Sequence, residues 1–151
     1  MPGAAPSVEE RAFIPQWGVE WGVRFGVRKL VRDRMPDLMR AEGLRVLERT
    51  LEEAAFLDAL KEKLLEEAGE VRAASGGEEL LEELADVAEV LAALVAASGF
   101  TAEELEARRL AKRAARGGFE GRIFSVAVEA EEGSPASAYY LARPDRYPPE
   151  E

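Results

Sequence analysis

The stretch EEAGEVRAASGGEELLEELADV, residues 66–87, decides the fold of this chain. A Ser-Gly-Gly run at 75–77 interrupts two helical patterns, which predict one helix over 51–74 and a second over 78–98. Because the interruption is short, we expect the two helices to fold back on one another as an antiparallel hairpin. Acidic residues lie on both sides of this turn, so the hairpin brings negative charges close together.

Each predicted helix carries an apolar stripe, since residues three and four positions apart share one face of a helix. The stripes consist of Phe56, Leu57, Leu60, Leu64 and Val71 on the first helix, and of Leu80, Leu84, Val87, Leu91 and Leu94 on the second. Glu67 falls inside the first stripe and Glu70 lies on its border. Glu83 and Asp86 take the same two places on the second stripe.

The turn also predicts which acidic residues meet. Residues equally distant from a turn centred between 76 and 77 lie at the same height, which pairs Glu70 with Glu83 and Glu67 with Asp86. Two carboxylates about 5 Å apart repel by roughly 3 kcal/mol at an effective dielectric constant of about 20. Four carboxylates beside an apolar stripe therefore need a neutralising group, and a divalent cation serves better than protonation.

The donor atoms indicate which cation this would be. Oxygen ligands alone favour hard cations, so these four carboxylates predict a site for Mg²⁺, with Mn²⁺ as the alternative. Di-iron helical bundles also use inward carboxylates, but they require Glu-x-x-His pairs, and the chain has no histidine. It has no cysteine either, which excludes a thiolate nucleophile and leaves a carboxylate, Lys, Tyr or metal-bound hydroxide as general base.

The spacing Glu67-x-x-Glu70 followed by Glu83-x-x-Asp86 resembles the metal motif of the all-α nucleoside triphosphate pyrophosphatases. That superfamily includes MazG-like and phosphoribosyl-ATP pyrophosphohydrolase-like proteins. Four segments are similar to one of its branches: KLVRDRMPDLM (29–39), LKEKLLEEAGEV (60–71), EELADVAEVLAAL (82–94) and KRAARGGFEGRIF (112–124). The resemblance covers roughly residues 29–125.

The resemblance implies a Mg²⁺-dependent hydrolase that cleaves the α/β phosphoanhydride of a nucleoside triphosphate and releases a monophosphate and pyrophosphate. We expect Glu67 or Glu70 to orient the attacking water as well as to bind metal. One alternative is the phosphoribosyl-ATP pyrophosphohydrolase of histidine biosynthesis, which typically lacks such long extensions at both ends. A second alternative is a non-catalytic helical interaction module whose acidic layer binds a cation only for stability.

Basic residues are the candidate contacts for substrate phosphates: Lys63, Arg32, Arg34, Arg113 and Arg116. Lys63 lies one helical turn before Glu67, so a phosphate contact and an ion pair with Glu67 are both compatible with its position. The four arginines belong to basic flanks around the acidic stretch 52–89. This distribution disfavours binding to nucleic acid, which requires a continuous basic face.

The expected fold is mainly α, namely a helical bundle built on the hairpin and further helices and completed by dimerisation. We predict a single domain over 1–151 with a MazG-like helical core at 29–125. The extensions 1–28 and 126–151 are expected to form strands of a small accessory antiparallel β-sheet. The resemblance further implies a homodimer or a dimer of dimers.

Alternating apolar residues support the predicted strands. WGVEWGVRFGVR, at 17–28, places its apolar residues on one face, which predicts sheet packing, with aromatic stacking on a nucleobase as the alternative. RIFSVAVEA (122–130) and ASAYYLAR (136–143) predict two further strands.

Capping residues support the predicted helices. Pro36 begins a short helix that ends near residue 43. Thr50 with Glu53, and Thr101 with Glu104, predict capping boxes at the starts of two longer helices, the later of which extends to Arg116.

Sequence features also predict a cytoplasmic protein that does not enter a membrane. The chain has no apolar run of about 18 residues, the length that a membrane-spanning helix requires. The first ten residues, MPGAAPSVEE, lack the order of a basic and then an apolar region that is typical of a signal peptide.

Overall fold

The computed structural model describes residues 22–150. Its helices are α1 (Met35–Ala41), α2 (Glu53–Ala73), α3 (Gly77–Ala97), α4 (Ala102–Arg116) and α5 (Pro135–Leu141). Within residues 22–150 no β-strand forms, so the prediction of a mainly α fold is confirmed and the accessory sheet is not seen. Part of the predicted strand at 17–28 lies outside the described residues, and its remainder forms no strand.

Helices α2 and α3 form the predicted hairpin and pack against each other. Their bounds differ from the predicted ones by no more than two residues. Gly76 and Gly77, at the turn, adopt φ angles of 104° and 61°, in the region that side chains with a Cβ atom rarely enter. These glycines allow the chain to reverse within a few residues, because a Cβ atom at either position would strain the backbone.

The capping box predicted at the start of α2 is wrong. Glu52, not Thr50, is the N-cap residue, and its side chain makes no capping hydrogen bond. The backbone N–H of Phe56 donates to the carbonyl of Glu52 at 2.8 Å, which begins the helix two residues later than predicted. Thr50 therefore lies too far from the first turn to cap it.

The interface between α2 and α3 buries a narrow apolar stripe. Leu60 and Val90 are its buried apolar side chains, and Phe56, Leu64 and Val87 are half-buried. The stripe predicted on α2 is confirmed. On α3 the stripe includes Val90, which the prediction missed, whereas the predicted members Leu84 and Leu91 are exposed.

The capping box at the start of α4 forms as predicted. Thr101 Oγ1 accepts from the N–H of Glu104 at 3.1 Å, and Glu104 Oε2 accepts from the N–H of Thr101 at 2.8 Å.

Thr101→Ala is expected to lower the free energy of unfolding by about 1 kcal/mol, because an N–H of the first turn loses its acceptor. Thr50→Ala provides the matched control, since Thr50 caps no helix, and should have little effect. Urea denaturation of the two variants measures the difference, and equal effects would contradict the role of the box.

The chain divides into two compact units, one ending at Leu105 and the other beginning at Glu106. In the second unit, the strand predicted at 136–143 is wrong, because Pro135–Leu141 forms α5. Ser134 Oγ accepts from the N–H of Ser137 at 3.1 Å, and Pro135 occupies the first turn, where it favours a helix. The boundary falls inside the predicted core at 29–125, and the domain assignment stays a prediction.

Over the part of the chain that the structure describes, no single helix is both long enough and apolar enough to cross a membrane. Helices α3 and α4 meet the length and composition criteria only when they are taken together as a bent pair.

Candidate metal site and adjoining cleft

Helices α2 and α3 bring three carboxylates together. Glu67, Glu83 and Asp86 each present an oxygen, and these oxygens all lie within 4.8 Å of one another. Glu67 is buried, with 7% of its surface exposed, and the other two residues are half-buried. Glu67 and Asp86 are equally distant from the turn, so the hairpin register accounts for their proximity. We call these three residues the acidic cluster.

Glu70 was predicted as a fourth member, but it is not among the residues whose oxygens converge in the described structure. Its side chain is exposed. Glu70 is nevertheless close enough to repel the cluster, because its charge contributes to the raised pKa of Glu83. Glu70 therefore lies at the solvent edge of the cluster.

The spacing of the cluster oxygens suits a small hard cation. An octahedral Mg²⁺ ion with oxygens at about 2.1 Å places opposite ligands about 4.2 Å apart. No two cluster oxygens are more than 4.8 Å apart, so small side-chain rotations would bring them to such distances. The donors are all carboxylate oxygens, as Mg²⁺ and Mn²⁺ prefer.

Lys63 contacts the buried member of the cluster. Its Nζ lies 2.6 Å from Glu67 Oε1 and 3.1 Å from Glu66 Oε1. The pKa of Lys63 lies above its ordinary value: partial burial lowers it, but the hydrogen bonds to Glu67 and then Glu66 together raise it by more. Lys63 is therefore a fully charged partner of Glu67, and its contact with a phosphate stays a prediction.

The segment before α1 supplies two further cations. Arg32 forms an ion pair with Asp86, and Lys29 Nζ lies 2.9 Å from Glu66 Oε1. The hydrogen bond from Lys29 is the largest cause of the lowered pKa of Glu66; burial opposes it, and Lys63 lowers the pKa further. Arg32 was among the predicted phosphate contacts, whereas Lys29, in the same basic run KLVRDR, was not predicted.

Three other arginines were also predicted as phosphate contacts. Arg34 is the exposed N-cap residue of α1. Arg113 and Arg116 belong to the second unit, where Arg113 forms an ion pair with Glu120 and Arg116 is the exposed last residue of α4. Arg32 and Lys63 are therefore the two predicted phosphate contacts that pair directly with the acidic cluster.

A cleft of about 220 Å³ adjoins the cluster in the first unit. Its charged wall contains four acidic residues and two cations, namely Asp33, Glu67, Asp86, Glu89, Arg32 and Lys63. Its apolar wall combines residues of the segment before α1 with residues of both hairpin helices, namely Leu30, Val31, Phe56, Leu60, Val90 and Ala93. The cleft thus offers charged groups and an apolar surface side by side.

The pKa of Glu83 is raised above its ordinary value. Burial is the largest cause, followed by repulsion from Glu70, Asp86 and then Glu67. A carboxyl whose pKa is higher in the folded than in the unfolded state destabilises the fold once it ionises. The contribution of Glu83 to stability is therefore most favourable in acid. It is lost as the pH rises through the pKa that Glu83 has in the folded protein.

Glu83→Gln is consequently expected to stabilise the metal-free protein near pH 7, and the difference from the parent should disappear by about pH 4, where glutamic acid is largely neutral. Thermal melts across this pH range, in the presence of a chelator, measure the effect. Glu82→Gln is the matched control, because it removes the same charge from an exposed neighbour. If Glu83→Gln were less stable than the parent at neutral pH, the claim that the ionised Glu83 carboxylate destabilises the cluster would be wrong.

No model of a known protein family, no curated protein and no solved structure matches this chain.

Proposed function

We propose that this protein is a Mg²⁺-dependent nucleoside triphosphate pyrophosphohydrolase that releases a nucleoside monophosphate and pyrophosphate. The observation that carries the proposal is the acidic cluster of Glu67, Glu83 and Asp86, which lies beside a cleft lined by charged residues, including Arg32 and Lys63, and by an apolar wall. A cation held by three carboxylates retains affinity for the oxygens of a polyphosphate. The resemblance of the sequence to the all-α pyrophosphatases supports the same reaction.

In this proposal Glu67, Glu83 and Asp86 hold the metal. Bound there, Mg²⁺ would supply charge neutralisation for the phosphate oxygens. Glu70 lies at the solvent edge of the cluster, where an exposed carboxylate is free to accept a hydrogen bond from the attacking water. Glu67 is engaged by Lys63, so Glu70 is the better placed of the two residues for orienting that water.

Lys63 and Arg32 have two roles in the proposal. Without metal they neutralise Glu67 and Asp86, which keeps a cluster of like charges together. When a metal takes over these carboxylates, the same cations are within reach of phosphate oxygens, to which guanidinium and ammonium groups bind readily.

The apolar wall of the cleft supports a nucleotide more than an inorganic polyphosphate. Phe56 and Leu60 lie on the same cleft as Arg32 and Lys63, so a ring could contact the apolar wall while phosphates face the cations. At about 220 Å³ the cleft is smaller than a pocket that encloses a whole drug-sized ligand. It would therefore take part of a nucleotide, with the rest extending away from it.

A substrate panel tests the proposal. Purified protein is incubated with Mg²⁺ and each common ribo- and deoxyribonucleoside triphosphate, and the release of pyrophosphate and monophosphate is measured. Phosphoribosyl-ATP is included to test the alternative from histidine biosynthesis. A rise in melting temperature with Mg²⁺ but no turnover of any nucleotide would favour the non-catalytic interaction module instead.

We further propose that a second copy of the chain completes the bundle, because the hairpin leaves much of its apolar surface uncovered. Leu65 and Leu81 are well over half exposed, and Leu84 and Leu91 are exposed as well. A helical hairpin cannot bury both of its faces by itself. Sedimentation analysis is expected to show a dimer or a larger even-numbered assembly, and a monomer at all concentrations would contradict this part of the proposal.

A further inference from the structure

Residues 122–131, in the second unit, form neither a helix nor a turn, and no strand partner for them exists in the described structure. Large apolar side chains are concentrated in and just before this stretch. Those of Phe119, Ile123, Phe124, Val126 and Val128 are between 55% and 96% exposed. Exposed apolar residues in this density usually mark a surface that another molecule covers.

The pattern of this stretch suits a β-strand. Phe124, Val126 and Val128 are β-branched or aromatic residues at alternate positions, so they would share one face of an extended chain. A strand with unpaired backbone groups is a template for pairing with another strand. The question is which strand the sequence fits.

The charges along the stretch are self-complementary. It begins with a basic residue, Arg122, and ends with Glu129 and Glu131. If two copies of this stretch run antiparallel, the basic end of each lies beside the acidic end of the other. A parallel arrangement would instead place like charges side by side.

We propose that residues 122–130 pair antiparallel with the same residues of a second copy, about a two-fold axis at Val126. In this register Val126 lies opposite Val126 of the second copy, and Phe124 lies opposite Val128. Six apolar side chains then line one face of the two-stranded ribbon. Arg122 lies on the same face, opposite Ala130 of the other strand and one position from both Glu129 and Glu131, whose side chains project from the other face. The pairing is isologous, as a two-fold axis requires.

This inference goes beyond the proposed activity, because no residue of the acidic cluster or its cleft takes part. It adds a second surface to the hairpin face proposed above and commits the pairing there to one register. A failure of the nucleotide assay would leave it untouched, since its test needs neither metal nor nucleotide.

Cysteine cross-linking tests the register, and the chain has no native cysteine to confuse the result. In Val126→Cys the two thiols would lie directly opposite, within the Cα separation that a disulfide allows. In Ile123→Cys, at an equally exposed site, the two thiols would lie roughly 20 Å apart along the ribbon. Under a mild oxidant, Val126→Cys is expected to form disulfide-linked dimers at least about tenfold faster than Ile123→Cys.

Three results would overturn the proposal. Equal cross-linking of the two variants would indicate random collision. Absence of cross-linking in both would mean that this surface does not meet a second copy. The third result has two parts. Val126→Cys alone stays monomeric, but it forms a disulfide with Val27→Cys when the two variants are mixed. This result would mean that the segment 22–28, and not a second copy of 122–130, pairs with this stretch.

Charge variants at the axis give a second measurement. Val126→Glu and Val126→Lys should each weaken association across this surface, because each variant places like charges directly opposite one another. An equimolar mixture should restore association, since Glu then lies opposite Lys. Val126 is largely exposed within one chain, so neither variant is expected to unfold it, and far-ultraviolet circular dichroism checks this. A mixture that associates no better than either variant alone would contradict the two-fold register.

Discussion

The double variant Glu67→Gln, Glu83→Gln is expected to lose at least about 100-fold in the rate of pyrophosphate release. Altering a residue that only supports a metal ligand typically lowers metal affinity or activity by 10- to 100-fold, so removing two proposed ligands should have a larger effect. Glutamine preserves the size of both side chains but removes their charge. The change therefore tests the charge of the acidic cluster more than its packing.

The chain offers a matched control for this experiment. Glu62→Gln, Glu82→Gln removes the same two charges from the same two helices, at exposed positions outside the cluster. This control is expected to keep its activity and its dependence on Mg²⁺. Activity that survives in the Glu67, Glu83 variant would refute the metal assignment, provided that circular dichroism shows both variants to be folded.

Leu60→Ala is expected to lower the free energy of unfolding by about 2–4 kcal/mol. Leu60 is the most deeply buried apolar side chain among the described residues, with 3% of its surface exposed. Its truncation removes apolar contacts between α2 and α3 and enlarges the cleft that Leu60 and Val90 line. A loss of this size is typical of buried leucines that are truncated to alanine. Chemical denaturation at a fixed protein concentration measures the loss.

Leu65→Ala is the control for this prediction, because Leu65 lies on the same helix with 67% of its surface exposed. In a single copy its truncation should change the stability by no more than about 0.5 kcal/mol. A larger effect that grows with protein concentration would indicate that a second copy covers this face. If Leu60→Ala and Leu65→Ala lowered the free energy of unfolding equally at all protein concentrations, the assignment of Leu60 to the core would be wrong.

Local signals predicted much of the helical structure correctly. The glycines after α2 and the capping box at Thr101 act over a few residues, so a short stretch of sequence contains the whole interaction. The failures arose where two local signals competed. At α5, alternating apolar residues favoured a strand, but Ser134 and Pro135 formed the start of a helix.

The spacing of residues on the hairpin explains how far the candidate site could be predicted. Glu67 and Asp86 come together because a turn of known length sets the register of two helices. Glu70 was also predicted to belong to the acidic cluster, but its side chain is exposed to solvent and its oxygens are not among those that converge. Sequence spacing gives the height of a residue along the hairpin, whereas the direction of its side chain depends on how the two helices rotate about their axes as they pack.

The sequence by itself determined the hairpin and the meeting of Glu67, Glu83 and Asp86, because helical period and turn length are local properties. The pairing of Lys63 with Glu67 also follows from helical spacing. Only the tertiary structure decided which cations from outside the hairpin face these acids. Arg32 reaches Asp86 across 54 residues of chain, and Lys29 reaches Glu66 across 37. Contacts at such separations depend on the path of the segment before α1 over the packed helices, and no local pattern specifies that path.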